Sequence, residues 1–267
     1  MPHSTLGYER RFNWAFKTSG EEEFVAAVLA GQPDPPKYFA EMKRLNQAGT
    51  RVLGGLALPP RLEDDALAAL ASRALVIDTR SAEEFAQRFV PGTLNLPINA
   101  SFVTWAGWLI PYTDNFYLIL GEGAEARLPE VVRALALIGL DRIGGYFRAP
   151  AIARALSAQA AGQIAQLSPQ DLAGMRGDET PVVIDVRHAN EWREGRLPSA
   201  IHIPLGHLAN RLTDIPKGRP LVTQCQGGAR SAIAASLLHR AGFTDVRNLL
   251  GGYAAWQAAG LPTTAAE

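Results

Sequence analysis

Cys225 is the only cysteine in the 267-residue chain, and its surroundings suit nucleophilic chemistry. It follows the apolar run Leu221-Val222-Thr223 and precedes Gln226-Gly227-Gly228-Ala229-Arg230-Ser231 and an Ala/Leu-rich stretch of helical character. A strand, a loop of small residues and a helix N-terminus gather backbone N–H groups around one point. Gly227 and Gly228 let the loop curl so that those groups converge, and Arg230 adds a full positive charge beside them. An anionic sulfur is stabilised at such a focus. A thiolate there can attack an electrophilic sulfur and then hold the resulting persulfide, whose terminal sulfur is again an anion. An isolated cysteine is often just a small buried hydrophobe. A structural thiol, however, has no need of two glycines and an arginine at a helix start, so the spacing favours chemistry.

The elements that must position this loop occur twice. The segment VIDTRSAEEFAQRFVPGTLNLPI from Val76 matches VIDVRHANEWREGRLPSAIHIPL from Val183 without a gap, 107 residues apart. Ile77/Ile184, Asp78/Asp185, Arg80/Arg187, Glu84/Glu191, Phe85/Trp192, Pro91/Pro198 and Pro97/Pro204 pair at that offset, as do Gly144-Gly145-Tyr146 and Gly251-Gly252-Tyr253. A period this long predicts two copies of a whole domain rather than the short units of a solenoid. Each copy shows an apolar run ending in Asp, a polar stretch for a short helix, a small second strand, a third strand (116–120 or 221–223) and a helix ending near Gly139 or Gly242. Alternating strands and helices predict an α/β fold with a parallel sheet flanked by helices in each copy. Ser168-Pro169 reads as an N-cap and first helical residue, and Ala151 to Gln166 as a connection between the copies. Ahead of both lie two expected helices: one capped by Ser19 and running to Gly31, one ending at Gly49, with Gln32-Pro33-Asp34-Pro35-Pro36 breaking the chain between them. The expected boundaries are 1–58 for this helical segment, 59–150 for the first copy and 160–267 for the second.

Composition narrows the function. Lys+Arg and Asp+Glu number 26 each, a balance that argues against a nucleic-acid binder or a polybasic membrane-surface protein. At 47% hydrophobic and 19% charged residues the chain is globular. One thiol makes no intramolecular disulfide and no thiolate metal cluster, and no apolar run approaches a membrane span. A protein of the cytoplasm is expected. The five histidines (His3, His188, His202, His207 and His239) form no metal-binding spacing.

The residues Asp185-Val186-Arg187, Glu191-Trp192, Gly195 through Pro204, Cys225-x-x-Gly228-x-Arg230-Ser231 and Gly251-Gly252 with Trp256 together resemble the rhodanese (sulfurtransferase) domain, from about Ser168 to Leu261. The resemblance implies Cys225 as sulfur-accepting nucleophile and the main chain of Gln226, Gly227, Gly228, Ala229, Arg230 and Ser231 as anion cradle. It further implies Arg230 as the group that orients the bound sulfur, and Asp185 with Arg187 as support for the loop. Small sulfur-containing donors such as thiosulfate or a low-molecular-weight persulfide are then expected, with a low-molecular-weight thiol or cyanide as acceptor and with no cofactor or metal. Arg196 stands where the family usually has His, a structural position, and Gln226 where many members carry Arg or Lys, which alters charge preference. The C-x4-R spacing from Cys225 to Arg230 suits a single sulfur atom, whereas the C-x5-R loop of tyrosine-type phosphatases fits a tetrahedral phosphate.

In the first copy the equivalent strand runs into Gly121-Glu122-Gly123-Ala124-Glu125-Ala126-Arg127, with no cysteine and with two carboxylates where the anion would sit. Three extra residues precede this loop, and Phe102, Trp105, Trp108 and Tyr112 read as packing aromatics. The first copy therefore reads as an inactive rhodanese-like domain. Residues Ser4–Asn13 and Pro33–Asn46 resemble the C-terminal edge of the metallo-β-lactamase-fold domain in persulfide dioxygenase-like/rhodanese fusions. The metal ligands of that fold lie upstream of this segment in such fusions, so no dioxygenase activity is expected. Self-association or a partner protein would cover residues 1–58. A non-catalytic interaction module partnering a metal-dependent domain is the alternative expectation.

Overall fold

The computed structural model describes residues 3–30, 32, 35–49, 52, 54–177 and 180–265. Residues 1–35 and 36–267 form two compact units. The first holds α1 (Leu6–Phe12) and α2 (Glu21–Leu29), neither of which buries a side chain. Gly20, not Ser19, occupies the N-cap of α2; Ser19 sits one residue earlier, where its N–H and hydroxyl both donate to Glu23 at 3.1 Å. Three glutamates in the first turn suit the positive helix end without any side-chain cap. The predicted end of this helix at Gly31, and part of the proline break after it, lie outside the described residues.

The second unit begins at Pro36, earlier than the expected boundary near residue 59, and so takes in α3 (Lys37–Ala48). It continues through α4 (Leu67–Ala71), β1 (Leu75–Asp78), α5 (Ala82–Gln87), β2 (Thr93–Asn95), α6 (Phe102–Leu109), β3 (Phe116–Leu120), α7 (Leu128–Leu137), β4 (Ile143–Arg148) and α8 (Pro150–Ala155). The four strands form one parallel sheet in the order β2-β1-β3-β4. Ser81 and Glu84 close a capping box on α5, each side chain accepting from the other's backbone N–H at 3.1 Å. α3 lies against α6, with Tyr38 packed on the core.

The chain then enters β5 (Ala165–Leu167), α9 (Pro169–Gly174), β6 (Val182–Asp185), α10 (Ala189–Glu194), β7 (Ile201–His202), α11 (Leu205–Leu208), β8 (Leu221–Gln224), α12 (Ala229–Arg240), β9 (Val246–Leu249) and α13 (Gly252–Ala258). This second parallel sheet runs β5-β9-β8-β6-β7. Without β5 its order reproduces that of the first sheet. The connection read between the copies is thus α8 followed by a three-residue edge strand. Ser168 caps α9, accepting from the Asp171 N–H at 3.1 Å.

One sequence pairing fails. Gly144-Gly145-Tyr146 lies inside β4, whereas Gly251-Gly252-Tyr253 opens α13, past the end of β9. The extra residues before the first loop shift everything downstream, so equal letters at the old offset land in different elements.

The two sheets share a core between them, while each keeps a cluster of its own on its other face. One set of buried side chains runs from Ile77, Leu94, Trp105 and Trp108 to Ile184, Ile233 and Leu238. α12 is buried along Ser231–Leu238 without interruption, because the β2 edge of the first sheet covers the face its own sheet leaves open. There the Asn95 N–H donates to Ser236 Oγ at 3.1 Å, the Arg240 guanidinium donates to the Gly92 carbonyl, and Phe89 meets the His239 ring edge-on.

Candidate active site at the end of the fourth strand of the second sheet

β8 carries Cys225 out of the sheet at its C-terminal end, and Gly228 turns the chain into α12. The turn needs φ +97° at Gly228, a left-handed conformation that side-chain-bearing residues rarely adopt. It brings the Gly228 N–H to 3.1 Å from Cys225 Sγ. The Ser231 hydroxyl has two acceptors in reach, Gly228 O at 3.0 Å and Sγ at 3.5 Å. With one proton it serves one of them at a time, and an anionic sulfur is the stronger acceptor. The residue Cys225 is 1% exposed, with Gln226, Gly227 and Ala229 exposed around it.

The loop is clamped from below. The carbonyls of Cys225 and Gln226 accept the N–H groups of Tyr253 (2.8 Å) and Ala254 (3.0 Å) from the first turn of α13. Gly252 approaches so closely that a Cβ there would lie 2.1 Å from the Cys225 carbonyl oxygen. From the side comes Arg187, fully buried, which forks onto the Asp185 carboxylate (Nε at 3.1 Å to each oxygen, Nη2 at 2.8 Å). Its remaining donors go to the Gly195 carbonyl (2.6 Å) and the Gln226 side chain (3.4 Å), and its guanidinium lies 4.1 Å from the centroid of the Tyr253 ring. Asp185 therefore acts on the loop through Arg187.

Arg230 faces Cys225 and also holds a carboxylate that the sequence reading did not pair with it. Both its terminal nitrogens donate to the Glu191 carboxylate, each at 2.6 Å. Burial opposes the charge on Arg230, but Glu191 and then Cys225 outweigh it and hold the guanidinium above its ordinary range. Burial likewise works against the Glu191 carboxylate, and Arg230 with the His188 backbone N–H overcomes it, leaving Glu191 below the usual glutamate value. Glu191, Gly252 and Tyr253 contact Arg230, the Cys225 loop and Arg187, and the sequence reading gave them no separate role. The signals were the Glu191-Trp192 pair and the glycine doublet. Arg196, the departure from family usage, packs its guanidinium on Trp192, 5.0 Å from the ring centroid, while its backbone pairs with Thr264.

The counterpart loop in the first sheet has another shape. A 3-10 turn, Ala124–Arg127, intervenes before α7. Arg148 pairs with Glu125 at 3.0 Å, so Glu122 rather than both acids is left uncompensated there. Asp78 and Arg80 repeat the fork of Asp185 and Arg187, with burial raising the Asp78 carboxyl above its ordinary value against the pull of Arg80. Trp105 and Trp108 are buried and pack toward the second sheet, stacked on His188 (6.5 Å) and edge-on to His207 (5.3 Å). The Cys225 loop opens into a cleft of about 1470 Å³, whose facing wall comes from the first sheet's half. Among the described residues no cluster of His, Cys, Asp and Glu is placed to hold a metal ion, and no helix is long and apolar enough to cross a membrane.

Comparison with known proteins finds the rhodanese-like domain at residues 168–259. A protein named sulfurtransferase from Allochromatium vinosum is 38% identical over 89 residues, covering 33% of this chain and 83% of the relative. The thiosulfate sulfurtransferase GlpE of Shewanella oneidensis is 33% identical over 93 residues, covering 35% of this chain and 92% of the relative. Among solved structures, a metallo-beta-lactamase from Staphylococcus aureus aligns with a TM-score of 0.44 at 33% identity, over 54% of this chain and 40% of that one.

Proposed function

The chain belongs to the rhodanese-like family through residues 168–259, and from that premise we propose that it is a sulfurtransferase whose sulfur travels as a persulfide on Cys225. The observation that carries the reading is the sulfur atom set 3.1 Å from the Gly228 N–H, at the N-cap of the 12-residue helix α12, with the Ser231 hydroxyl behind it. In the first step the Cys225 thiolate attacks the outer sulfur of thiosulfate or of a low-molecular-weight persulfide. The donor's sulfur–sulfur bond breaks, and sulfite or a thiolate leaves with the electron pair. In the second step a thiolate or cyanide attacks the terminal sulfur of the persulfide, and the Cys225 thiolate departs. The backbone from Gln226 to Ser231 holds the terminal anion between the two steps, and Arg187, forked onto Asp185, keeps the loop in shape.

In the same proposal the first sheet is a rhodanese-like half that has given up chemistry. The shared strand order supports this, and so does the loop after β3, which lacks a thiol and keeps Glu122 in its place. A cytoplasmic setting is part of the proposal, since a lone reactive thiol persists where thiols are kept reduced.

Intact mass after incubation with thiosulfate tests the reading. The wild-type chain is expected to gain one sulfur and Cys225→Ser none, with sulfur transfer to cyanide abolished in the variant. A wild-type chain that gains no sulfur would sink it. That outcome would favour a non-catalytic interaction module, a reading that draws on the exposed Leu6, Phe12, Trp14 and Phe16 of residues 1–35.

A further inference from the structure

We propose that the sulfur acceptor is a thiol carrying a positive charge and that Glu83, on the wall contributed by the first sheet's half, recognises that charge. The inference rests on the sulfur-transfer reading above and names the acceptor's chemistry. At about 1470 Å³ the cleft far exceeds the needs of a single sulfur atom or of thiosulfate. The Cys225 loop forms one side, and Ser81, Glu83, Asn99 and Trp105 stand on the other. A molecule that reaches the persulfide must therefore lie along residues of both halves.

The charges on these walls decide what fits. The ionisable residues lining the cleft are Glu83, His188 and Arg230. Arg230 donates from both terminal nitrogens to Glu191 at 2.6 Å, which offsets much of its charge. His188 stands at the N-cap of α10, with its backbone N–H donated to Glu191 at 3.0 Å and its ring stacked on Trp105. Glu83 is exposed and has no ion-pair partner among the described residues. The cleft thus offers an uncompensated carboxylate. An ammonium, with three donors and no acceptor, complements it, and a carboxylate-bearing thiol meets repulsion.

The transfer step balances without any further reagent. The acceptor thiolate forms a bond to the terminal sulfur, the bond from that sulfur to Cys225 Sγ breaks, and Cys225 keeps the electron pair. The products are the acceptor persulfide and the resting thiolate.

The test uses the full chain loaded with thiosulfate and mixed with cysteamine or with 3-mercaptopropionate at one fixed pH. The readout is the ratio of the two second-order transfer rate constants. Glu83→Gln is expected to lower the cysteamine preference about twofold to fivefold, as befits one exposed charge pair. Glu83→Lys should lower it about tenfold by replacing attraction with repulsion. High salt should shrink the wild-type preference toward that of the Gln variant. Glu130→Gln, on the outer face of α7, is expected to leave the ratio unchanged. Ratios that stay constant in both Glu83 variants, on protein that loads sulfur normally, would overturn this inference alone. Failure of the wild-type chain to load sulfur would overturn the sulfur-transfer reading and this one with it.

Discussion

Gly252 touches the reactive loop only through backbone, which makes Gly252→Ala a sharp test of how the site is held. Its φ of +57° lies in the left-handed region, where a side chain costs about 1–2 kcal/mol. The added Cβ would stand 2.1 Å from the Cys225 carbonyl oxygen, 2.9 Å from its carbonyl carbon and 3.0 Å from the Gln226 carbonyl carbon. All three are main-chain atoms, so no rotamer change relieves the contact. Either Cys225 or the first turn of α13 must retreat by about 1 Å, and overpacking of this kind costs about 1–3 kcal/mol. Together the two effects predict a loss of roughly 2–5 kcal/mol. The retreat also carries the Cys225 backbone away from the Gly228 N–H, and a displacement of about 1 Å slows chemistry about a hundredfold. Urea denaturation reads the first quantity, and the rate of sulfur loading on Cys225, followed by intact mass, reads the second. Gly227→Ala supplies the contrast. A Cβ there meets nothing within 4 Å, and its φ lies outside the positive region, so stability should stay within about 1 kcal/mol of wild type. A Gly252→Ala protein with both wild-type stability and wild-type loading rate would refute the reasoning.

Three further outcomes follow from the buried ionic and titratable groups. Asp185→Asn leaves the Arg187 charge buried without its fork and should cost about 3–5 kcal/mol in urea denaturation. Glu191 has a lowered pKa when folded, so the stability it lends is present above the ordinary glutamate value of 4.5 and drains away as pH falls through the folded value; Glu191→Gln should flatten the acid limb of a stability–pH curve. Burial, against a weaker upward pull from the Val246 backbone and Asp245, also lowers His239, so the stability of its neutral form is present above the ordinary value of 6.5 and lost on acidification below it. Thermal melts from pH 7 downward should therefore fall less steeply for His239→Gln than for wild type, and equal slopes would count against a buried neutral His239 at the contact between the two halves.

Much of this architecture was legible because the chain states it twice. The runs ending at Asp78 and Asp185 are continuous and apolar, as strands buried on both faces must be. The Cys225 loop was legible for another reason: small residues between a strand and a helix have few other uses. What escaped the sequence lacks a periodic signal. β5 is a three-residue edge strand with two exposed members, and β4 carries two glycines in its centre. The partner of Arg230 was hidden because Glu191 lies 39 residues away and arrives only when β6 and β8 pair side by side. Likewise the close pass of Gly252 beneath Cys225 depends on β9 lying next to β8, which no local pattern announces.

The pairing of Arg230 with Glu191 changes what must hold the sulfur anion. A guanidinium shared with a carboxylate adds less net charge to the loop than a free one, so more of the load falls on the N–H groups at the start of α12. Those groups are useful only if the helix is fixed in direction. Its middle, from Ser231 to Leu238, is buried, and part of what buries it belongs to the first sheet. Asn95 reaches Ser236, Gly92 receives Arg240, and Phe89 meets His239, spanning the last two turns of the same helix whose N-cap N–H faces Cys225. A half that has no thiol of its own thereby aims the dipole that the other half uses. The first sheet needs no cysteine for this role but does need β2, since stripping that edge would expose a continuous apolar helix and release the element that points at Cys225.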